Sequence, residues 1–391
     1  MRQSRHIGYV QCVNVIIVLK PSLKYSMRTD LDYRLLGNRW NGFLQYYQFT
    51  TEAEDSTADL VCENYVAKQL GLDQETRLTL AFWFGAVGSP TSMILTEEFG
   101  PIIPSTIPKI VEYFKINKQR LSFASDAKYR KIHFESFIYS IQEIIKRYGS
   151  LALYIHYMIN GQNEPIQVYN NLSNACRRDW YQWGRMGHWC FAEALSHFTD
   201  FSISPPTMEF GPGGESHTAG WILAQQKDWI EFGFGNGLDD NGITHMETGA
   251  KFFIDWAKNQ NWGNKDNINY FTLETACCNY KRQHKGSRYA GCYIDELYDD
   301  LQIMYQDWPE KRKLFDLYMK GRLEKLPVNL LYEMNNDYNP LKPAYQKTWH
   351  KAFMKHGRMP RVETWFNNCN RQRWCDINEL GYESSLEDLW T

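Results

Sequence analysis

The chain has 391 residues, 43% of them hydrophobic and 15% aromatic, with a formal net charge of −2. That length suits two domains or one large one, with apolar residues enough for a large core. Near-neutrality excludes a general polyanion binder. It leaves room for local basic patches that make an oriented contact.

Residues 1–26 read as an extension, either strand-like or upstream of a start at Met27. Its apolar run at 13–20 is far too short to span a bilayer, and no small-residue cleavage site follows. No membrane association or secretion is therefore expected. Nine cysteines, an odd number with no CxxC pair, indicate a reduced protein of the cytoplasm. His350, His356, Cys369 and Cys375 match no common zinc spacing, so no metal site is expected there.

From residue 27 the text is mainly helical. A first region, 27–150, carries apolar residues at three- and four-residue steps over 75–87 and 133–149. It also holds a basic cluster of Lys115, Lys118, Arg120, Lys128, Arg130 and Lys131. A second region, 151–325, is the expected catalytic core. It contains a helix over about 185–198, breaker-rich loops at 202–216 and 231–242, and another helical stretch at 248–260. A second basic cluster follows at 281–288. A basic, aromatic tail region fills 326–391, partly helical from 343 to 357. The fold class is mainly α with long Gly/Pro-rich loops, and most of the rings are read as core.

Three stretches put polar chemistry where a core is expected. In "WYQWGRMGHWCFAEAL", Arg185, Trp189 and Glu193 stand at i, i+4 and i+8 on one helical row. A structural ion pair beside a core tryptophan explains that row as well as a site does. In "GPGGESHTAGW", a glycine-rich loop leads into a helix start, with Ser216 as N-cap and His217 in the first turn. Free N–H groups there suit an anion. In "ETACCNYKRQHKGSRYAGCYIDEL", Glu274 and Lys281 are seven apart, as are Arg288 and Asp295. Gly286 is read as closing the first of two helices and Ser287 as capping the second. Asp239 and Asp240 are read as Asx turns in preference to a Mg2+ site. No cofactor is otherwise expected.

Together these stretches resemble the phage alpha-glutamyl/putrescinyl thymine pyrophosphorylases, also called amino acid:DNA transferases. The likeness spans roughly residues 30–305 and is most specific over 274–297. It implies a helical DNA-glycosylase-like architecture. The chain departs from that pattern in lacking an LPGVG-type hairpin, and in having Thr218 where a basic residue belongs. The implied partners are double-stranded phage DNA with a modified thymine and a small amine or amino-acid co-substrate. The implied reaction displaces phosphate or pyrophosphate from 5-(pyro)phosphoryloxymethyl-deoxyuridine.

Such chemistry needs a flipped base, cations for the leaving group and a base for the amine. Trp189 and Tyr289 are the candidate stacking rings. Arg185, Ser216, Lys281, Arg282 and Arg288 are the candidate phosphate or DNA contacts. Glu193, His217, Glu274 and Asp295 are the candidate catalytic groups, with their roles left open. A base-flipping glycosylase and a non-catalytic helical DNA-binding protein are the alternatives.

Overall fold

A computed structural model describes residues 39–124, 127–159, 161–162, 164–225, 240–284, 292–326, 358–360 and 374–376. Fifteen α-helices follow one another in them. The first is α1 (Arg39–Glu52), followed by α2 (Ala58–Gln69) and α3 (Gln74–Val87). Asp73 starts α3 by accepting the Thr76 N–H at 2.8 Å. Then come α4 (Thr91–Phe99), α5 (Ile107–Asn117), α6 (Lys128–Ile132), α7 (Phe134–Tyr148) and α8 (Leu151–Ile159). Next is α9 (Pro165–Asp179), begun by a proline whose missing N–H costs nothing at a first helical position. The remaining helices are α10 (Arg185–Phe198), α11 (Glu215–Ala224), α12 (Asp240–Lys258), α13 (Tyr270–His284), α14 (Cys292–Asp307) and α15 (Arg312–Lys325). Two short strands, β1 (Arg358–Pro360) and β2 (Trp374–Asp376), pair antiparallel with Met359 opposite Cys375.

The fold is mainly α, as its periodicity predicts. The helices expected over 75–87, 133–149 and 185–198 are α3, α7 and α10. The stretch expected at 248–260 forms the end of α12, which stops at Lys258. The partly helical stretch expected at 343–357 and the turn containing Gly286 and Ser287 lie outside the described residues. No helix among the described residues is long and apolar enough to cross a membrane.

The chain forms two compact units that interleave in sequence. One comprises 1–56, 207–292 and 328–391, the other 57–206 and 293–327. In the second unit α3 is central. Its text from Leu78 to Val87 is almost wholly apolar, and it is buried nearly all round. Helix α10 crosses it at Gly85, where an added Cβ would lie 2.7 Å from Phe191 Cβ and 2.8 Å from the Gly187 carbonyl oxygen. Helix α7 is amphipathic and turns Phe137, Ile138, Ile141 and Ile145 inward. Phe82 of α3 stacks on Phe137 with centroids 5.9 Å apart.

This core also holds a carboxyl. Glu63 of α2 is fully buried and accepts hydrogen bonds from the Ser92 and Tyr318 hydroxyls. Burial, only partly offset by those donors, pushes its pKa up to about 7.

The first unit has an aromatic core. Trp221 of α11 meets Trp40 and Phe43 of α1 edge to face, each at 6.0 Å, and Phe253 of α12 at 5.7 Å. Tyr280 of α13 meets Phe43 at 5.3 Å. Helices α11 and α13 touch backbone to backbone. A Cβ on Gly220 would lie 1.9 Å from the Cys277 carbonyl oxygen.

Two outcomes follow from this packing. Gly220→Ala should cost about 3 kcal/mol or more, since backbone must move to admit one methyl. Gly249→Ala in α12, whose Cβ would meet only a ring atom 3.8 Å away, should be neutral or stabilising. Urea denaturation of both variants checks this, and wild-type stability in Gly220→Ala would refute the close crossing. The raised pKa of Glu63 means the folded state holds a proton that the unfolded state releases. Stability from this group is therefore full below about pH 4.5 and falls as pH rises to about 7. The loss is roughly 3 kcal/mol. Melting temperatures across that range should flatten in Glu63→Gln, and an unchanged slope would contradict the assignment.

Candidate active site

The loop before α11 is held from two sides. Glu247 of α12 accepts the Met208 N–H at 2.7 Å and the Phe210 N–H at 2.9 Å. From α11 itself, the Thr218 hydroxyl accepts the Gly211 N–H at 3.1 Å and donates to the Gly214 carbonyl at 2.7 Å. Gly211 and Gly213 have φ of +98° and +85°, which side-chain-bearing residues rarely adopt. Thr218 thus serves the loop from the position where the resemblance implies a basic residue.

Ser216 is not the N-cap that its sequence position suggests. Helix α11 starts at Glu215, and Gly214 is its N-cap with no side-chain cap. The Ser216 hydroxyl instead accepts the thiol of Cys278 at 3.0 Å. Two extra residues of helix, Glu215 and Ser216 itself, put the serine inside the first turn.

His217 and Glu274 come together as a buried pair. His217 is 1% exposed and stacks on Phe210 with centroids 5.4 Å apart. Its Nδ1 is 3.1 Å from Glu274 Oε1. Its Nε2 is buried and has no hydrogen-bond partner among the described residues. That edge of the ring faces Gly214, where a Cβ would lie 2.4 Å from Cε1 and 2.9 Å from Nε2. A proton on Nδ1, donated to the carboxylate, leaves the Nε2 lone pair as the acceptor.

Along α13 from Glu274 come Cys278 and, one turn on, Lys281, with Arg282 beside it. Lys281 is half-buried, and its burial lowers its pKa despite the opposing pull of Cys278 and Glu215. Burial raises both the Cys277 and Cys278 thiols, with the Glu274 charge adding to it, which keeps them protonated and poor nucleophiles. Neither Cys277 nor Cys278 is in a disulfide.

The row expected on α10 forms in the second unit. The Arg185 guanidinium lies over Trp189, 4.7 Å from its ring centroid, and Glu193 follows on the next turn, 7% exposed. Trp189, expected to stack on a base, is a core ring. It is 1% exposed, with Tyr169 against it edge to face at 6.0 Å. Its apolar surface is used up by packing. Asp295 lies in α14, while Arg288, Tyr289 and Asp239 fall outside the described residues. Asp240 opens α12, and no group of three metal-binding side chains occurs among the described residues.

Sequence patterns missed Phe210, Gly214 and Glu247, which shape the His217 environment. Spacing along one helix carries no sign of them, since they act across elements. The adjacent glycines at 213–214 were the one visible signal.

Comparisons with known proteins cover this same ground. The family model described as amino acid:DNA transferase matches residues 102–289, which include the loop, His217, Glu274, Lys281 and Arg282. A serinyltransferase of Salmonella phage ViI is 21% identical over 309 residues, 73% of this chain and 74% of that protein. Both names describe transferases, and the family description names DNA as the acceptor. Over residues 102–289, the chain is similar to the amino acid:DNA transferase family.

Proposed function

We propose that the protein replaces the (pyro)phosphate of 5-(pyro)phosphoryloxymethyl-deoxyuridine in double-stranded phage DNA with the amine of an amino acid. The setting is the cytoplasm of an infected cell. The observation that carries this reading is the buried His217–Glu274 pair with its unpartnered Nε2. An amine attacks carbon only through its lone pair and must shed a proton as the new bond forms. His217 Nε2 is the acceptor for that proton, and Glu274 fixes the tautomer and stabilises the imidazolium that results.

In bond terms, the amine nitrogen joins the exocyclic methylene carbon while that carbon's bond to the (pyro)phosphate oxygen breaks. Charge builds on the departing oxygen. Lys281 and Arg282 answer it, helped by the N–H groups that open α11 around Ser216. The target base is flipped from the duplex to reach these groups. Serine is the first amino acid to try, since the phage ViI relative is named a serinyltransferase.

The test is incubation with DNA carrying the phosphorylated or pyrophosphorylated nucleoside and single amino acids, then digestion and mass spectrometry. The expected product is a nucleoside one amino-acid residue heavier than 5-hydroxymethyl-deoxyuridine, the (pyro)phosphate having left. Release of free base makes the protein a glycosylase, and an unchanged profile with DNA bound makes it a binder. His217→Asn keeps a donor for Glu274 and should lower turnover by about 10²–10⁴-fold. Near-wild-type turnover in that variant would remove His217 from the chemistry. The lowered pKa of Lys281 gives a pH test with a definite sign. Its charge is lost as pH rises through a value below that of an ordinary lysine, so activity falls early on the alkaline side. Lys281→Arg should move that limb to higher pH, and an unmoved limb would exclude Lys281 as its source.

A further inference from the structure

The loop 180–184, between α9 and α10 in the second unit, is built on rings and one arginine. Trp180 and Trp183 meet edge to face at 4.5 Å, and Trp183 stacks on Phe82 at 5.6 Å. Arg130 is 3% exposed. Its Nε and Nη2 donate to the Ala86 and Gly85 carbonyls in the last turn of α3, at 2.7 and 3.1 Å. A cation is favoured at that negative helix end. Its Nη1 donates to the Gln182 carbonyl at 3.2 Å, and Gln182 takes φ +57° there.

A cavity of about 460 Å3 opens beside this arrangement, lined by Arg130, Arg177, Trp180, Trp183, Gly184 and Gly187 among others. Three features suit it to an oxyanion. It lies at the start of the 14-residue α10, whose N-cap Gly184 supplies no side-chain cap. It is lined by two arginines, Arg130 and Arg177. The indole N–H groups of Trp180 and Trp183, in residues 4% and 5% exposed, have no hydrogen-bond partner among the described residues. The Trp183 N–H and Arg130 Nη1 both face the first turn of α10, each 3.2 Å from where a Gly187 Cβ would sit. Buried donors without acceptors are costly, and an anion here relieves that cost.

The lining also selects among anions. No carboxylate lines the cavity among the described residues, so the ammonium of a free amino acid finds no counter-charge. Arg177 is exposed at the rim, and Gly184 has nothing within 4 Å of its absent Cβ. A polymer passing over the surface can therefore come close to the helix end. We propose that this cavity seats one backbone phosphate of the DNA, gripped by Arg177, Arg130 and the first N–H groups of α10. The proposal rests on the DNA-modifying reading and adds to it a contact point in the second unit.

Fluorescence anisotropy with unmodified duplex DNA, titrated at several salt concentrations, tests it without turnover. Arg177→Ala should weaken binding about five- to tenfold and reduce the salt slope by about 0.9, the loss of one phosphate contact. The neighbouring Arg178, paired with Asp179 at 2.6 Å, is the control, and Arg178→Ala should leave the slope unchanged. Gly184→Asp separates binding from folding. Gly184 has φ −87° and ψ −172°, an N-cap conformation suited to aspartate. That variant should melt at or above the wild-type temperature yet bind DNA more weakly, because its carboxylate occupies the anion position. Unchanged DNA affinity in both Arg177→Ala and Gly184→Asp overturns the proposal. So does a raised KM for the amino acid with DNA affinity unchanged, which makes the cavity a carboxylate site. Absence of DNA binding by the wild-type protein sinks the DNA-modifying reading itself, along with this one.

Discussion

The contact on which the candidate site depends is the meeting of two backbones at Gly220 and Cys277. Because residue 220 has no side chain, α11 lies directly on α13. The residues of α11 that precede this point, Ser216 and His217, then face Cys278 and Glu274 at hydrogen-bond distance. With a larger residue at 220 the helices would stand apart, and the imidazole and carboxylate with them. Tight packing here is a device for placing polar groups in a dry setting, where each hydrogen bond is electrostatically stronger than in water.

Much of this was legible in the text because it is local. Apolar residues at helical spacing gave α3, α7 and α10 within a residue or so, since burial of one face is what forms such helices. The row Arg185, Trp189 and Glu193 and the pair Glu274 and Lys281 are matters of helical geometry and also hold. What spacing cannot supply is the partner across the fold. Nothing near His217 in sequence names Glu274, 57 positions on, as its partner, and nothing near Glu247 tells that it holds the backbone of Met208 and Phe210. Trp189 looked available because a ring on a polar row resembles a platform. Its burial against Tyr169 is a tertiary fact. The N-cap slipped from Ser216 to Gly214 because Thr218 already satisfies the loop that a capping serine would have served.

The two units treat buried charge differently. In the first, His217 meets a carboxylate, so its charged form has a ready counter-ion. In the second, Arg130 gives its N–H groups to three carbonyl oxygens. Carbonyl dipoles at the end of α3 and in the loop before α10 thus hold the guanidinium in place. Glu63 shows a third solution, in which hydroxyl donors surround a carboxyl that holds its proton to about pH 7.

The interleaving of the units bears on how the chain emerges from a ribosome. Helix α1, with Trp40, Phe43 and Tyr47, is made before its partners α11, α12 and α13, which follow only after about 150 residues of the other unit. At about 5–20 residues per second, those rings wait roughly ten to thirty seconds before anything can cover them. A nascent segment this aromatic is a natural client for a chaperone during that interval. The supply of such help then bears on how quickly folded protein accumulates.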